Sequence, residues 1–320
     1  MILVTGATGF LGSEVVRQLR MQNKSVIALK RAQSAIPTIL QSLDISWRNA
    51  DLLNYFDLEE AMEGITQVYH CAALISFDPA EKKAMIRANR EGTANITHLC
   101  LERGIRLLHV SSVAAVGEAK NGSPITEKDH WQFSHRQTGY AISKYESEME
   151  VWRAVAEGLD AVIVNPSIII GPNAGKSGSG RLFEQVQMGL KFYPKGGCGL
   201  TDVEDVAAIM IRLMESGITG ERFILNAENW SYKDLFSEIA HALEVKPPKI
   251  LAPEWLLRIA AGAGSILSFI QNKRFGLTSE TARSASRLPV YSSEKIRKTI
   301  GAEFKPIKQS IRQICQNLKP

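Results

Sequence analysis

A tyrosine and a lysine separated by four positions have the residue types and spacing needed for acid–base chemistry. Tyr140 and Lys144 lie at the start of a predicted long helix that runs toward Glu157, and this spacing places the phenol and the ammonium on one helical face. A free tyrosine has a pKa of about 10, and lowering it by about 3 units requires a preference of roughly 4 kcal/mol for the phenolate. A neighbouring ammonium acts in that direction. The pair is a candidate proton donor or acceptor, although the pattern alone is also typical of surface helices.

Two serines at the end of an apolar segment strengthen this interpretation. Ser111 and Ser112 close a predicted strand that begins at Arg106. In a parallel sheet the carboxyl ends of the strands line the ligand crevice. A serine hydroxyl at this position can donate a hydrogen bond to a substrate carbonyl, or it can simply cap the following turn.

The segment Thr5–Gly12 reads TGATGFLG and lies between a predicted strand and a predicted helix. In that context Gly6 permits a tight turn, Gly9 lets the backbone approach a pyrophosphate, and Gly12 allows the helix to pack closely on the strand. The helix N-terminus adds free N–H groups and a positive dipole. The segment therefore predicts a dinucleotide site, with a tight turn that binds no ligand as the alternative. Its glycine spacing, GxxGxxG, differs from the GxGxxG of ordinary dehydrogenases.

Two cations follow the second predicted strand, where a site for NAD usually carries an acidic residue for the ribose hydroxyls. Lys30 and Arg31 occupy this place, and a cation there matches a 2′-phosphate, so the sequence favours NADP over NAD. Arg31 could instead stack on the adenine or face solvent. Asp51, after the third predicted strand, is a candidate partner for the adenine amine or else a helix cap.

The elements that must position these groups alternate between strand and helix, which predicts crossover units and a parallel sheet. The predicted fold is α/β: a doubly wound sheet with a smaller, mostly helical C-terminal substrate domain. We expect residues 1–170 to form the dinucleotide-binding domain, with 199–227 returning to it, and 171–320 to form the substrate domain. The predicted strands are Ile2–Thr5, Ser25–Leu29, Ile45–Arg48, Val68–Cys71, Arg106–Ser111 and Val162–Asn165.

The second half of the chain carries weaker patterns. A loop is predicted over Gly171–Gly180, which is rich in Gly, Ser, Pro and Asn. The other predictions are two helices, one strand and an amphipathic tail: Val203–Glu215, Tyr232–Leu243, Phe223–Leu225, and the stripe of Ile307, Ile311, Ile314, Cys315 and Leu318.

The composition argues against a long disordered chain, a collagen and a coiled coil. Hydrophobic residues make up 45 % and charged residues 22 %, which is ordinary for a globular enzyme. The net charge of +5 is scattered along the chain, so we expect a small-molecule substrate and no nucleic acid. The four cysteines lie far apart, which predicts reduced thiols, no disulfide framework and no metal site.

The N-terminus predicts no ordinary secretory signal, because it enters a strand without a basic region or a long apolar stretch. The uncharged segment Ile259–Ile270 is shorter than the about 20 residues that a bilayer requires. We therefore expect a cytoplasmic protein without a membrane span.

Several segments occur in the order and at the spacing of one known family. The chain resembles an extended short-chain dehydrogenase/reductase of the NAD(P)-dependent epimerase/dehydratase superfamily over its first 172 residues, and two later segments, Gly199–Asp205 and Tyr291–Gly301, also fit. The set is specific although no single segment is. The segments are TGATGFLG (Thr5–Gly12), HCAA (His70–Ala73), NREGTAN (Asn89–Asn95), VSS (Val110–Ser112), YAISK (Tyr140–Lys144) and NPSIIIGP (Asn165–Pro172).

The resemblance implies a Rossmann fold, a nicotinamide cofactor and a role for each matching residue. Tyr140 would be the proton donor or acceptor, with its pKa lowered by Lys144 and by the positive ring of the oxidised cofactor. Lys144 would also bind the ribose. Ser112, at the family's spacing before Gly117, would be the catalytic serine. The residues expected to bind the cofactor are Gly6, Thr8, Gly9, Phe10, Leu11, Gly12, Arg31, Asp51, Leu52, Ala72, Ala73, Ser111, Tyr140, Lys144, Asn165, Pro166 and Ser167.

Within this family, three features favour the dihydroflavonol reductase-like and 3β-hydroxysteroid dehydrogenase-like branch. Lys30 and Arg31 indicate NADP, the stretch Val164–Ser167 resembles the reductases, and the apolar stretch Trp255–Ile270 suits a lipophilic substrate. The predicted enzyme is an NADP(H)-dependent oxidoreductase that interconverts a carbonyl and a secondary alcohol.

Two alternatives stay open. One is an NAD-dependent sugar-nucleotide epimerase, and the other is a non-catalytic NADP-sensing regulator, which the presence of Tyr140, Lys144 and Ser112 disfavours. The substrate and the oligomeric state are also open; relatives often form homodimers through two helices, here those containing Arg87–Leu101 and Tyr140–Val155. In an epimerase the cations that could contact a sugar diphosphate are Arg181, Lys191, Lys195 and Arg222.

Overall fold

A computed structural model describes residues 1–76, 78–119, 122–134, 137–175, 178–253 and 283–318. The apolar segments Trp255–Ile270 and Ile259–Ile270 lie outside these residues. The strands are β1 (Ile2–Thr5), β2 (Val26–Lys30), β3 (Ser46–Asn49), β4 (Gln67–His70), β5 (Arg106–Val110), β6 (Ala161–Pro166), β7 (Ile168–Ile170), β8 (Phe192–Pro194), β9 (Gly197–Asp202), β10 (Glu221–Leu225), β11 (Glu228–Ser231) and β12 (Ile250–Ala252).

The described helices include the two elements that carry the predicted site, α1 and α4. None of the helices in the described ranges is both long and apolar enough to cross a membrane. The α-helices are α1 (Phe10–Met21), α2 (Tyr55–Ala61), α3 (Lys82–Glu102), α4 (Gly139–Ala156), α5 (Gly180–Gln187), α6 (Val203–Glu215), α7 (Tyr232–Ala242), α8 (Glu294–Ile300) and α9 (Ile307–Leu318).

A seven-stranded sheet forms the centre of the molecule, in the order β10-β6-β5-β4-β1-β2-β3. Every neighbouring pair in it is parallel. The chain runs from β1 out to β3 and then crosses back to β4, and this reversal opens a crevice at the carboxyl ends of the strands. The predicted doubly wound α/β fold is confirmed.

Helices cover both faces of this sheet. On one face α1 and α6 pack through Val16 and Met210, and on the other α3 and α4 pack through Leu99 and Val151. All residues of β6 are buried, which is why its first four residues, Ala161–Val164, form a continuous apolar run rather than an alternating one.

The C-terminal region contains short strands that the sequence patterns do not predict. Strands β11, β9 and β7 form a three-stranded sheet, in which β9 is antiparallel to β11 and parallel to β7. Strands β8 and β12 form a parallel pair. Helices α5, α7 and α9 enclose a separate apolar cluster that includes Phe183, Leu235 and Ile311. The predicted domain boundary at residue 170 stays a prediction.

Candidate active site

The turn between β1 and α1 is built from main chain packed against main chain. Gly6 has φ +66° and follows β1, whose neighbour in the sheet is β4. It lies so close to Ala72, after β4, that a Cβ on Gly6 would be 2.7 Å from the Ala72 Cα atom. A Cβ on Gly12 would lie 2.2 Å from the Gly6 carbonyl oxygen. The Gly9 N–H donates to that same carbonyl at 2.8 Å. A side chain at Gly6 or Gly12 would therefore collide with main-chain atoms, and the turn can pack this closely only because these residues are glycines.

The start of α1 leaves N–H groups for an anion. Gly9 is the N-cap, no side chain accepts a hydrogen bond there, and the first turn contains no acidic residue. A helix end of this kind, beside a glycine turn, fits the pyrophosphate of a dinucleotide.

Of the remaining predicted residues in this turn, Thr8 is half-buried and Leu11 is buried. The Phe10 ring extends toward the segment after β7, where a Cβ on Gly171 would lie 3.1 Å from the ring. The turn after β1 and the turn after β7 thus border the same crevice.

The ends of β2 and β3 differ in how their charged side chains are used. Arg31 is exposed, and within the described ranges its guanidinium has no hydrogen bond or ion pair, whereas the Lys30 ammonium donates to the Ala32 carbonyl at 3.3 Å. The Asp51 carboxylate accepts from the Leu53 N–H at 2.9 Å. The cap of α2 is Asn54, so Asp51 shapes the turn and is not the helix cap.

The turn after β4 lies against the glycine turn. Ala72 contacts Gly6, as described above, and Ala73 follows it with an exposed side chain. Leu52 is half-buried, and its carbonyl accepts from Asn95 Nδ2 at 2.8 Å. The structure thus places Ala72 beside the predicted phosphate turn and fastens Leu52 to α3.

The three predicted catalytic residues meet at the carboxyl end of β5. The Tyr140 phenol is hydrogen-bonded to the Ser112 side chain, and the Lys144 ammonium donates to the Val110 carbonyl at 2.9 Å. Thr138 caps α4 by accepting the Ala141 N–H at 3.1 Å, which fixes the start of the helix at Gly139, one residue before the tyrosine. This trio and the glycine turn lie at the carboxyl edge of one sheet.

Comparisons with known proteins identify the family of the chain. Residues 2–226 match the family described as NAD dependent epimerase/dehydratase. A Synechocystis sp. protein, provisionally named a dihydroflavonol 4-reductase, is 36 % identical over 79 % of this chain and 75 % of its own length. Cinnamoyl-CoA reductase CAD2 of Medicago truncatula is 26 % identical over 99 % of this chain and 95 % of its own. The crystal structure of gox2253 superposes with a TM-score of 0.85 at 30 % identity, covering 99 % of this chain and 97 % of that one.

The chain belongs to the NAD-dependent epimerase/dehydratase family. The family and these relatives are enzymes of the extended short-chain dehydrogenase/reductase type, and the family binds a nicotinamide dinucleotide. The glycine turn fits such a cofactor, because side chains at Gly6 or Gly12 would collide with the main chain and the N-terminus of α1 has no side-chain cap on its N–H groups.

The charges of the epimerase/dehydratase site are set by burial. Burial raises the pKa of Tyr140, and the hydrogen bond with Ser112 acts in the opposite direction. Burial lowers the pKa of Lys144 to about 8, although the neighbouring Cys71 and Glu148 both act to raise it. The lowering of the Tyr140 pKa by Lys144 and an oxidised cofactor therefore stays a prediction about the complex.

Glu148 is a residue of this site that the sequence analysis missed. Its side chain is fully buried and accepts hydrogen bonds from Ser111 Oγ at 2.5 Å and Asn165 Nδ2 at 2.8 Å. The signal was present: Glu148 follows Lys144 by four positions, so a carboxylate shares the helical face of Tyr140 and Lys144. A charge on a face that must meet the sheet requires partners.

Asn165 and Ser111, both predicted to line the cofactor, are joined to Glu148 through their side chains. Pro166 ends β6, and the next residue, Ser167, donates from Oγ to the Leu225 carbonyl at 3.3 Å. These residues lie beside the crevice, and their contact with the cofactor stays a prediction.

Arg222 is not free to bind a sugar diphosphate. Its guanidinium donates to Glu148 Oε1 at 3.1 Å, to the Glu127 carbonyl at 2.7 Å and to the Asp129 carbonyl at 2.9 Å. The Arg222 guanidinium is thus hydrogen-bonded within the protein, whereas that of Arg31 is exposed.

The family motifs at the end of β4 and on α3 act as structural support. His70 Nδ1 lies 2.8 Å from Thr5 Oγ1, and His70 Nε2 lies 3.2 Å from Thr93 Oγ1. Asn89 Nδ2 donates to Ser143 Oγ at 2.6 Å. These bonds tie β4 to β1 and α3 to α4, which holds the two halves of the site at a fixed separation.

Proposed function

We propose that this enzyme uses NADP(H) to interconvert a carbonyl and a secondary alcohol. The hydrogen bond between Tyr140 and Ser112, beside the buried Lys144, is the observation that carries the proposal. This arrangement gives one substrate oxygen a proton donor and a second hydrogen-bond donor at the edge where the glycine turn lies.

The chemistry divides between the cofactor and these side chains. The bound nicotinamide ring supplies hydride to the carbonyl carbon or accepts it from the alcohol carbon. In the direction of reduction, Tyr140 gives its phenolic proton to the oxygen as the C–O double bond becomes single. Ser112 donates a hydrogen bond to the same oxygen and stabilises the charge that develops on it. Lys144 binds the ribose and favours the phenolate that Tyr140 leaves behind.

The preference for NADP rests on Arg31. Its guanidinium is exposed at the end of β2 without an ion pair in the described ranges, so it is available for the 2′-phosphate of NADP. Paired guanidinium–phosphate contacts are strong and directional.

Two exposed apolar side chains after the turn that contacts Gly6 support a small, lipophilic substrate. Leu74 and Ile75 follow Ala73 directly, and they are 45 % and 59 % exposed. Apolar side chains left exposed beside a crevice favour the binding of an apolar ligand.

The test is cofactor consumption by purified protein with a panel of substrates. We expect NADPH oxidation with apolar aldehydes or ketones, slower oxidation of NADH, and free exchange of the bound cofactor. Non-exchangeable NAD together with epimerisation of a nucleotide sugar would replace this proposal by the epimerase alternative. Cofactor binding without turnover of any carbonyl or nucleotide sugar would favour the sensing role.

A further inference from the structure

The Glu148 carboxylate lies within the catalytic face of α4 rather than at its edge. It follows Tyr140 by eight positions and Lys144 by four, so the three side chains share one face of the helix. Its side-chain exposure is 0 %. A buried carboxylate is costly unless every oxygen is hydrogen-bonded or paired with a charge, so its partners indicate why it is there.

One oxygen of Glu148 faces the catalytic strand ends. Oε2 accepts from Ser111 Oγ at 2.5 Å and from Asn165 Nδ2 at 2.8 Å. The same Asn165 nitrogen donates to the Ser112 carbonyl at 3.0 Å. The Asn165 amide thus links Glu148 to the main chain of Ser112, whose hydroxyl is the partner of the Tyr140 phenol.

The other oxygen of Glu148 faces a cation and an indole. Oε1 accepts from Trp152 Nε1 and from Arg222 Nη1, each at 3.1 Å. Arg222 is only 14 % exposed and reaches Glu148 from β10. Its remaining donors hold the main chain of the segment around Glu127 and Asp129. The charge of the carboxylate is therefore balanced on the side away from the serines.

We propose that Glu148 is a positioning residue of the catalytic site, which holds Ser111, Asn165 and the Ser112 main chain in register with the helix that carries Tyr140 and Lys144. The inference rests on the proposed oxidoreductase function. Ser111, Asn165 and Arg222 come from β5, β6 and β10, so one carboxylate connects three strands of the sheet to α4. A displacement of these groups by about 1 Å from their positions beside Tyr140 and Lys144 can reduce turnover by roughly 100-fold.

The competing interpretation is that Glu148 only balances the charge of Arg222. Charge balance accounts for Oε1, but it gives no reason for Oε2 to accept from Ser111 and Asn165. The two interpretations differ in what happens when both charges are removed together.

Glu148 also acts on Lys144 through its charge, since it is one of the groups that raise the pKa of that ammonium. Removing the charge of Glu148 should therefore lower the titration midpoint of Lys144 below its value of about 8. The titratable groups that interact with Lys144 come from β4, the turn after β4, β5 and α4: His70, Cys71, His109 and Glu148.

The first test compares Glu148→Gln with Glu150→Gln in the full-length protein. Glu150 lies on the same helix but outside the site, paired with Arg153 at 3.2 Å. We expect kcat to fall roughly 10- to 100-fold in Glu148→Gln, which is a larger change than that in the NADPH dissociation constant. Glu150→Gln should retain wild-type kcat. Equal kcat in Glu148→Gln and the wild type would overturn the proposal.

The second test uses the double variant Glu148→Gln/Arg222→Met, which removes both charges of the pair. Since no buried charge is left without a partner, the double variant can be measured even where Glu148→Gln alone does not fold. We expect its thermal midpoint to recover toward the wild type while kcat stays low, because glutamine has a single acceptor oxygen. That oxygen cannot accept from Ser111 and Asn165 on one side and from Trp152 on the other, as the two oxygens of the carboxylate do. Recovery of wild-type kcat in the double variant would show that Glu148 serves only Arg222.

The third measurement needs no turnover. The protein is labelled with isotope-enriched lysine, the Lys144 signal is assigned with Lys144→Met, and its chemical shift is followed against pH by NMR. A lower midpoint in Glu148→Gln, with no change in Glu150→Gln, supports the proposal; an unchanged midpoint in Glu148→Gln opposes it. If no carbonyl is reduced by the wild type, the proposed function fails, and this shift still decides whether Glu148 acts on the site.

Discussion

The carboxyl end of β1 and the carboxyl ends of β5 and β6 belong to one sheet, but the first is formed by main-chain atoms and the others by side chains. After β1 the turn is formed by main-chain atoms, because Gly6 and Gly12 approach each other so closely that no side chain fits between them. At β5 and β6 it is done by side chains, with Ser112, Tyr140 and Asn165 held by hydrogen bonds in the protein interior.

The difference reflects what each end must recognise. A pyrophosphate is large, anionic and common to all dinucleotides, so helix N–H groups and open space suffice. Proton transfer to one oxygen requires a side chain with a suitable pKa at a fixed distance. Substitutions at the first end should therefore act on binding, and those at the second on turnover.

The strongest separation of the two ends is expected from Tyr140→Phe. Loss of the phenolic hydroxyl removes the proton donor, and kcat should fall by about 10²- to 10⁴-fold. The NADPH dissociation constant, measured by fluorescence titration, should stay close to that of the wild type.

Tyr145→Phe is the matched control for that prediction, since Tyr145 lies on the same helix and stacks on Trp131 at 4.0 Å. It should retain wild-type kcat. Full activity in Tyr140→Phe would contradict the catalytic assignment and remove the distinction between the two ends.

Gly12→Ala tests the β1 end from the opposite direction. The added Cβ would lie 2.2 Å from the Gly6 carbonyl oxygen, so α1 must move away from the turn. We expect a destabilisation of about 1–3 kcal/mol and weaker NADPH binding, measured by thermal unfolding and titration.

Gly217→Ala provides the control, because a Cβ on Gly217 meets no atom within 4 Å. It should change neither stability nor binding. If Gly12→Ala bound NADPH as tightly as the wild type, close approach of the backbone would not be what builds the phosphate turn.

Arg31→Ala should sharpen the comparison by acting on binding of one cofactor only. Loss of a charged hydrogen-bond partner costs about 1.5–3 kcal/mol, so the KM for NADPH should rise roughly 10- to 100-fold. The KM for NADH, which lacks the 2′-phosphate, serves as the internal control and should stay the same. A parallel rise for both cofactors would indicate that Arg31 contacts the adenine instead.

The smallest expected effect concerns His109 on β5, a buried residue whose ring nitrogens have no hydrogen-bond partner in the described ranges. Burial holds its pKa well below 6.5, and burial also lowers the pKa of His70 to about 3. The unfolded chain therefore binds protons below pH 6.5 that the folded chain does not, and stability falls as the pH falls. Each such histidine contributes a slope of about 1.4 kcal/mol per pH unit.

His109→Phe removes one of these two slopes. Urea unfolding at several pH values below 6.5 should show a flatter loss of stability than in the wild type. An unchanged slope would mean that His109 is protonated in the folded protein or reaches water.

Much of the dinucleotide half could be predicted from the sequence because its signals are local. Strand β1 and helix α6 have the bounds expected from their apolar patterns, Ile2–Thr5 and Val203–Glu215. A turn such as Thr5–Gly12 is specified by residues adjacent in the chain, so its glycines can be interpreted without knowing what packs around them.

The short strands of the C-terminal region could not be predicted in this way. Strand β7 has three residues and pairs with β9 about 30 positions later, so no local periodicity marks it. Gly197 is the first residue of β9, where its lack of a side chain leaves room for the Trp230 carbonyl.

By itself the sequence determined the glycine turn, the shared helical face of Tyr140 and Lys144, and the family to which they belong. Only the tertiary structure decided the partners of Glu148 and the engagement of Arg222, which sequence alone left as a candidate substrate contact. The physical reason is distance along the chain: Ser111, Asn165 and Arg222 are brought to one carboxylate by the order of strands β5, β6 and β10. The role of a buried charge depends on neighbours that are distant in the sequence, whereas a glycine turn is specified by consecutive residues.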